Sequence, residues 1–254
     1  MVGKIIKYDL LHYIKTCWFV TLAAIIIVVL GVVASFMHGS QSMLSVLSTL
    51  VILCLSYGVI FSCFATVEKR FRSSIFSGEG YMTMSIPIST EKLLLAKIIS
   101  AVIVWIYTCA LAFLSLYLFS LMVSPILEYE FFLPLVKAMW RTLMIMFEHA
   151  PISAIELILI CFAGVFCSIT FIHLSVAVGH LFKGKQRLFS SIFALLLFFS
   201  LGVLYTFLHP LFVHLSNLPG EVVLFIILMI ICGASVGFFF ATRYIIKHKL
   251  NLVV

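Results

Sequence analysis

The chain has 254 residues, 64% of them hydrophobic and only 10% charged, with a mean hydropathy of +1.29. A water-soluble domain of that length is roughly half apolar and about a quarter charged, so soluble folds, intrinsic disorder and secreted disulfide scaffolds are excluded. The net charge of +7 is spread over short segments between apolar runs, where it reports orientation in a bilayer rather than a nucleic-acid partner.

Each crossing of the roughly 30 Å hydrocarbon layer takes about 20 apolar residues. Six such runs are present, at 17–36, 43–67, 98–123, 154–181, 188–208 and 222–246. The expected fold is an all-α membrane protein with six transmembrane helices in one domain over 1–254, with no room for a separate soluble catalytic domain.

Ahead of the first run, Ile5, Ile6, Leu10, Leu11 and Ile14 alternate with Lys4, Lys7, Asp9, His12 and Lys15. That helical spacing predicts an N-terminal amphipathic helix on the inner leaflet, because charges at 4, 7 and 15 are costly at depth; a plain helical extension of the first span is the alternative. The first run spans about 20 residues and lacks a small-residue cleavage pattern, so it reads as a retained span rather than a signal peptide. The seven cysteines sit in or beside apolar runs without a Cys-x-x-Cys pair, as small buried hydrophobes do.

The basic residues fix the orientation. Lys4, Lys7, Lys15, Lys69, Arg70, Arg72, Lys92, Lys97, Lys183, Lys185, Arg187, Arg243, Lys247 and Lys249 fall on the side of the termini, and of the 16 basic residues only Lys137 and Arg141 fall opposite. Short loops rich in Lys and Arg stay cytoplasmic, so both termini are predicted inside.

Two connections are about 30 residues long, and loops of that length usually carry function. The inner one, 68–97, reads EKRFRSSIFSGEGYMTMSIPISTEKLLLAK. It interleaves basic and aromatic residues, breaks at Gly78 and Gly80 around Glu79, and restarts a helix near Ser89 or Thr90 with Glu91 in the first turn, where a carboxylate suits the helix dipole. Contact of the basic residues with lipid headgroups is one account. It leaves unexplained Phe71, Phe76 and Tyr81, which a protein partner below the membrane would cover.

The stretch SGEGYMTMSIPISTEKLLLAK after the second span, and the tail RYIIKHKLNL, resemble the matching parts of the ATP-binding cassette type 2 export permeases of bacteria, which share six spans with both ends inside. The resemblance implies that loop 68–97 holds a coupling helix docking on a separate ATPase subunit, with Arg70, Phe71, Arg72, Phe76, Glu79, Gly80 and Tyr81 at the contact. Aromatic anchors beside arginine are residue types that make interface hot spots. It further implies two ATPase subunits that bind ATP and magnesium, a second identical or similar permease chain, no cofactor in this chain, and residence in the bacterial cytoplasmic membrane.

The outer connection, 124–153, places Phe132, Leu135, Val136, Met139, Trp140, Leu143 and Phe147 at near-helical spacing, which predicts an amphipathic helix that either gates an exit or shields the bundle. Ser153-x-x-Glu156 after Pro151 has capping-box spacing, the expectation here over a buried functional carboxylate. Small residues spaced four apart, Gly233 with Gly237, Ser175 with Gly179 and Gly164 with Ser168, fit close helix packing.

Gly179 to Gln186 comes within one residue of a phosphate-binding loop but ends a span and offers Gln186 where that loop needs a hydroxyl; no ATP site is expected in this chain. His173 and His180, seven apart, share a helix face and read as core or interface residues. His38, His149, His209 and His214 with Glu148 match no metal-ligand spacing. Glu156 and His173 lie about 25 Å apart along one helix, too far to act as a catalytic pair. The expected function is outward transport of an amphipathic or apolar cargo such as an antimicrobial peptide, lipid or drug, powered by the ATPase partner. A stand-alone secondary transporter or channel is the alternative, disfavoured by the scarcity of ionisable residues at mid-depth.

Overall fold

A computed structural model describes residues 2–38, 58, 62–77, 80, 88–127, 132–182, 184–196, 199 and 219–249. Every regular element among them is helical. The helices are α1 Val2–His38, α2 62–76, α3 Thr90–Leu127, α4 Phe132–His149, α5 Pro151–Gly179, α6 Gln186–Leu196 and α7 Gly220–Lys249. Among the described residues three stretches are long and apolar enough to cross a membrane: Thr90–Leu114, Pro151–Gly179 and Gly220–His248, with mean hydropathies of 2.1, 2.5 and 2.8. These contain or begin the expected third, fourth and sixth spans. Most of the expected second and fifth lies outside the described residues.

Helix α3 shows why such a chain needs lipid. Its buried stripe, Ala101, Val104, Thr108 and Ala112, recurs every three or four residues and is built of small side chains. The opposite face exposes Ile99, Ile103, Ile106, Tyr107 and Phe113. A soluble helix hides its large apolar residues. Here small residues mediate packing and large ones face outward, the pattern of helices whose surroundings are as apolar as their side chains. Hydroxyls on the buried faces donate back to their own helix, Ser100 to the Lys97 carbonyl at 2.9 Å, Thr108 to Val104 at 2.7 Å and Thr242 to Phe238 at 2.8 Å. Those hydroxyl hydrogens then need no partner from hydrocarbon.

The N-terminal segment differs from its expected form. Helix α1 runs unbroken from Val2 to His38, so the basic segment continues directly into the apolar one. Its buried face carries Asp9 and Tyr13, one turn apart, while Leu11 and Ile14 are exposed. The helical extension, rather than a separate surface helix, is what the backbone forms.

The inner loop is also less separate than its sequence suggests. Helix α2 passes through residue 68 without interruption, and α3 begins at Thr90 with the Leu93 N–H donating to the Ser89 carbonyl at 3.1 Å. The two halves of loop 68–97 are therefore continuous with the apolar segments that flank it. Glu91 occupies the first turn of α3, as expected.

The chain divides into two compact units, one of Met1–Ile5, Glu68–Val102 and Ile145–Val254, the other of Ile6–Val67 and Ile103–Met144. In the first unit α5 and α7 pack along each other, with the Phe171 and Phe238 rings 5.8 Å apart. The core of this unit holds Phe71, Ile75, Leu94, Ile98, Ile169 and Val176. In the second, buried residues include Tyr13, Cys63, Val67 and Val104. The amphipathic helix expected in the outer connection is α4, which exposes Met139, Trp140 and Ile145 together with Lys137 and Arg141.

The capping box at 153–156 does not form. Helix α5 starts three residues earlier, with Ala150 at the N-cap, no side-chain cap, and Pro151 in the first turn. Proline suits that position because its fixed φ is helical and its missing N–H would have no partner there. Ser153 thereby falls inside the helix and is buried, and one Glu156 carboxylate oxygen is buried without a hydrogen-bond partner.

Candidate functional site

Two sets of helix ends make contacts within the first unit. The end of α2 lies against the end of α5, through stacking of Phe71 on His173 (centroids 3.9 Å apart, 18° between planes) and of Phe76 on His180 (4.3 Å, 19°). The start of α3 reaches the end of α7, where Glu91 and Arg243 form an ion pair at 2.5 Å. The start of α6 returns beside the end of α5. Arg72, Lys185 and Arg187, far apart in sequence, thus line one cleft beside the α5–α6 turn.

His173 and His180 are seven apart and share one face of α5, but Phe71 and Phe76, five apart on α2, point about 140° apart around the helix, so the double stack comes from how the two helices dock and not from spacing alone. The carried-over residues then separate by burial. Phe71 is 1% exposed, and so is His173. The cover that the sequence seemed to ask of a partner comes, for Phe71, from α5 itself; this residue is internal packing and not an exposed contact. Phe76 is half-buried beneath His180, and Phe71 meets it edge-on at 6.1 Å.

Arg70 and Arg72 are half-buried on α2, and Arg72 donates to Glu68 one turn earlier at 2.6 Å. Past the helix, the Gly80 N–H donates to the Ser77 carbonyl at 2.7 Å, and Gly80 is buried. The structure therefore brings Arg70, Arg72, Phe76 and Gly80 to this end. Glu79 and Tyr81 lie outside the described residues.

The sequence pointed to neither histidine as part of this end. Their seven-residue spacing was visible; that Phe71 and Phe76 would face them required the helices to be docked.

Gly179 and Gly184 are accounted for by the α5–α6 turn and not by nucleotide. A Cβ on Gly179 would come within 2.6 Å of the Ser190 Cβ and 2.7 Å of the Gln186 carbonyl, so the two helices cross at contact distance here. Gly184 has φ +96°, which L side chains rarely adopt. By contrast, a Cβ on Gly164, Gly233 or Gly237 would meet nothing within 4 Å. At these three positions no described helix comes close.

Burial lowers the pKa of His180, which lies one residue past α5, and the Arg72 guanidinium adds to that, against opposing backbone hydrogen bonds. Among the described residues no group of three His, Cys, Asp or Glu side chains could hold a metal ion. His209 and His214 lie outside them. The arrangement is one of cations and aromatics at the mouth of a helix bundle, suited to gripping another molecule.

Comparison with models of protein families, with curated proteins and with solved structures finds no match to this chain.

Proposed function

We propose that this chain is the membrane-spanning subunit of a bacterial ATP-binding cassette exporter, a permease of the type 2 class with six spans and both termini in the cytoplasm. It works with a second permease chain and two ATPase subunits that bind ATP and magnesium. The observation that carries the reading is the double stack joining α2 to α5. Force applied to α2 at the half-buried Arg70, Arg72 and Phe76 would pass through Phe71 and His173 into an apolar helix of 29 residues, because a close-packed contact transmits displacement instead of absorbing it. Closure of the ATPase pair below would then tilt the helices as rigid bodies. The positive-inside charge pattern and the loop and tail resemblance support the same assignment. An amphipathic or apolar cargo agrees with helices that expose Phe, Leu and Ile along their length.

The test is recovery of an ATPase with the detergent-solubilised protein. Wild type is expected to retain it, and charge reversal of both contacts, Arg70→Glu with Arg72→Glu, to lower recovery roughly tenfold or more, as loss of interface arginines does. Full association and coupling in that double variant would refute the assignment.

A further inference from the structure

An open cleft of about 630 Å³ lies beside the α5–α6 turn, lined by Arg72, Phe76, His180, Lys185 and Arg187 among others. Its charge is one-sided. Arg72 is balanced by Glu68, whereas Lys185 and Arg187 have no ion-pair partner among the described residues, and no described carboxylate lines the cleft. Leu188, which lines it, is 52% exposed. Leu181 and Phe182, in the turn between α5 and α6, are 44% and 45% exposed and extend the apolar rim, with Phe182 stacked on Phe189 at 4.3 Å. The cleft begins one residue past the end of a helix long and apolar enough to span a bilayer, at the depth where hydrocarbon gives way to headgroups.

We propose that this cleft binds the phosphate headgroup of an anionic phospholipid, with Lys185 and Arg187 on the phosphate and the acyl chains against Leu181, Phe182 and Leu188. The two-part chemistry selects the occupant. A soluble phosphate or an acidic side chain of a protein would satisfy the cations and leave the apolar rim in water; a phospholipid satisfies both. Of the reading above, this inference rests only on membrane insertion and not on the ATPase, so loss of ATPase association leaves it standing.

The full chain is reconstituted in nanodiscs of four parts phosphatidylcholine to one part phosphatidylglycerol, released into detergent, and weighed by native mass spectrometry. Wild type is expected to keep one phosphatidylglycerol and no phosphatidylcholine. Lys185→Gln with Arg187→Gln, at two exposed positions that leave the packing intact, is expected to lose that lipid by roughly tenfold or more. Lys4→Gln with Lys7→Gln, which removes the same charge elsewhere, is expected to keep it.

Three results would overturn the proposal: a wild type without retained lipid, a cleft variant that retains as much as wild type, or a control that loses as much as the cleft variant, which would mean diffuse attraction. In nanodiscs of phosphatidylcholine alone, inorganic phosphate is expected to leave the melting temperature unchanged. Stabilisation of wild type but not of the cleft variant would instead assign the cleft to a soluble anion.

Discussion

Gly179 is the residue whose replacement is most costly for its size. A methyl group there meets the Ser190 Cα at 2.8 Å and the Gln186 carbonyl at 2.7 Å, and backbone has no rotamer with which to yield. Gly179→Ala is expected to destabilise the protein by about 1–3 kcal/mol, the usual cost of overpacking. Gly237→Ala, with open space around it, should be neutral or stabilising by up to about 1 kcal/mol, because alanine is the better helix former. Thermal unfolding of both in one detergent checks the contrast. His180 supplies a pH test. Burial holds its pKa below the ordinary value of about 6.5, so its contribution to stability is complete above that value and is lost as pH falls through it. The groups facing it are Phe76 and Arg72 of α2 and, across the cleft, Lys185 and Arg187. The stability difference between wild type and His180→Gln should therefore shrink as the melting temperature is followed from pH 7.5 down to 5.

At the scale of the element, the start of α5 holds a correctable weakness. Ala150 occupies the N-cap with φ −143° and no side-chain cap, leaving first-turn N–H groups that a hydroxyl could satisfy. Ala150→Ser is expected to stabilise the protein by roughly 0.5–1 kcal/mol, read as a rise in melting temperature. The sequence offered a cap in this region, and it chose the wrong residue. Ser153-x-x-Glu156 has the correct spacing, but Pro151 at a permissive first-turn position lets the helix begin before Ser153 is reached. The connection between α2 and α3 teaches a related lesson. Gly78 and Pro87 lie outside the described residues, but α2 and α3 on either side are described, and periodicity could not show that they are continuous with the apolar segments, since an apolar window ends where charges begin and a backbone hydrogen-bond ladder does not.

For the whole molecule, the exporter reading predicts a silent protein. Purified alone into liposomes, it should show no cargo flux under an ion gradient, and flux should appear only with the ATPase and ATP; gradient-driven flux without nucleotide would favour the secondary-transporter alternative. Membrane character, the helical class and the long apolar helices at 98–123, 154–181 and 222–246 were legible from composition and run length, because the width of hydrocarbon sets a length that any sequence must meet. What tertiary structure alone decided was the fate of individual side chains: Phe71 buried on His173, Asp9 turned inward, Lys185 and Arg187 without an ion-pair partner among the described residues. Hydropathy is a sum over a window and survives any rotation of a helix about its axis. Burial depends on that rotation, and only the docking of one helix against another sets it.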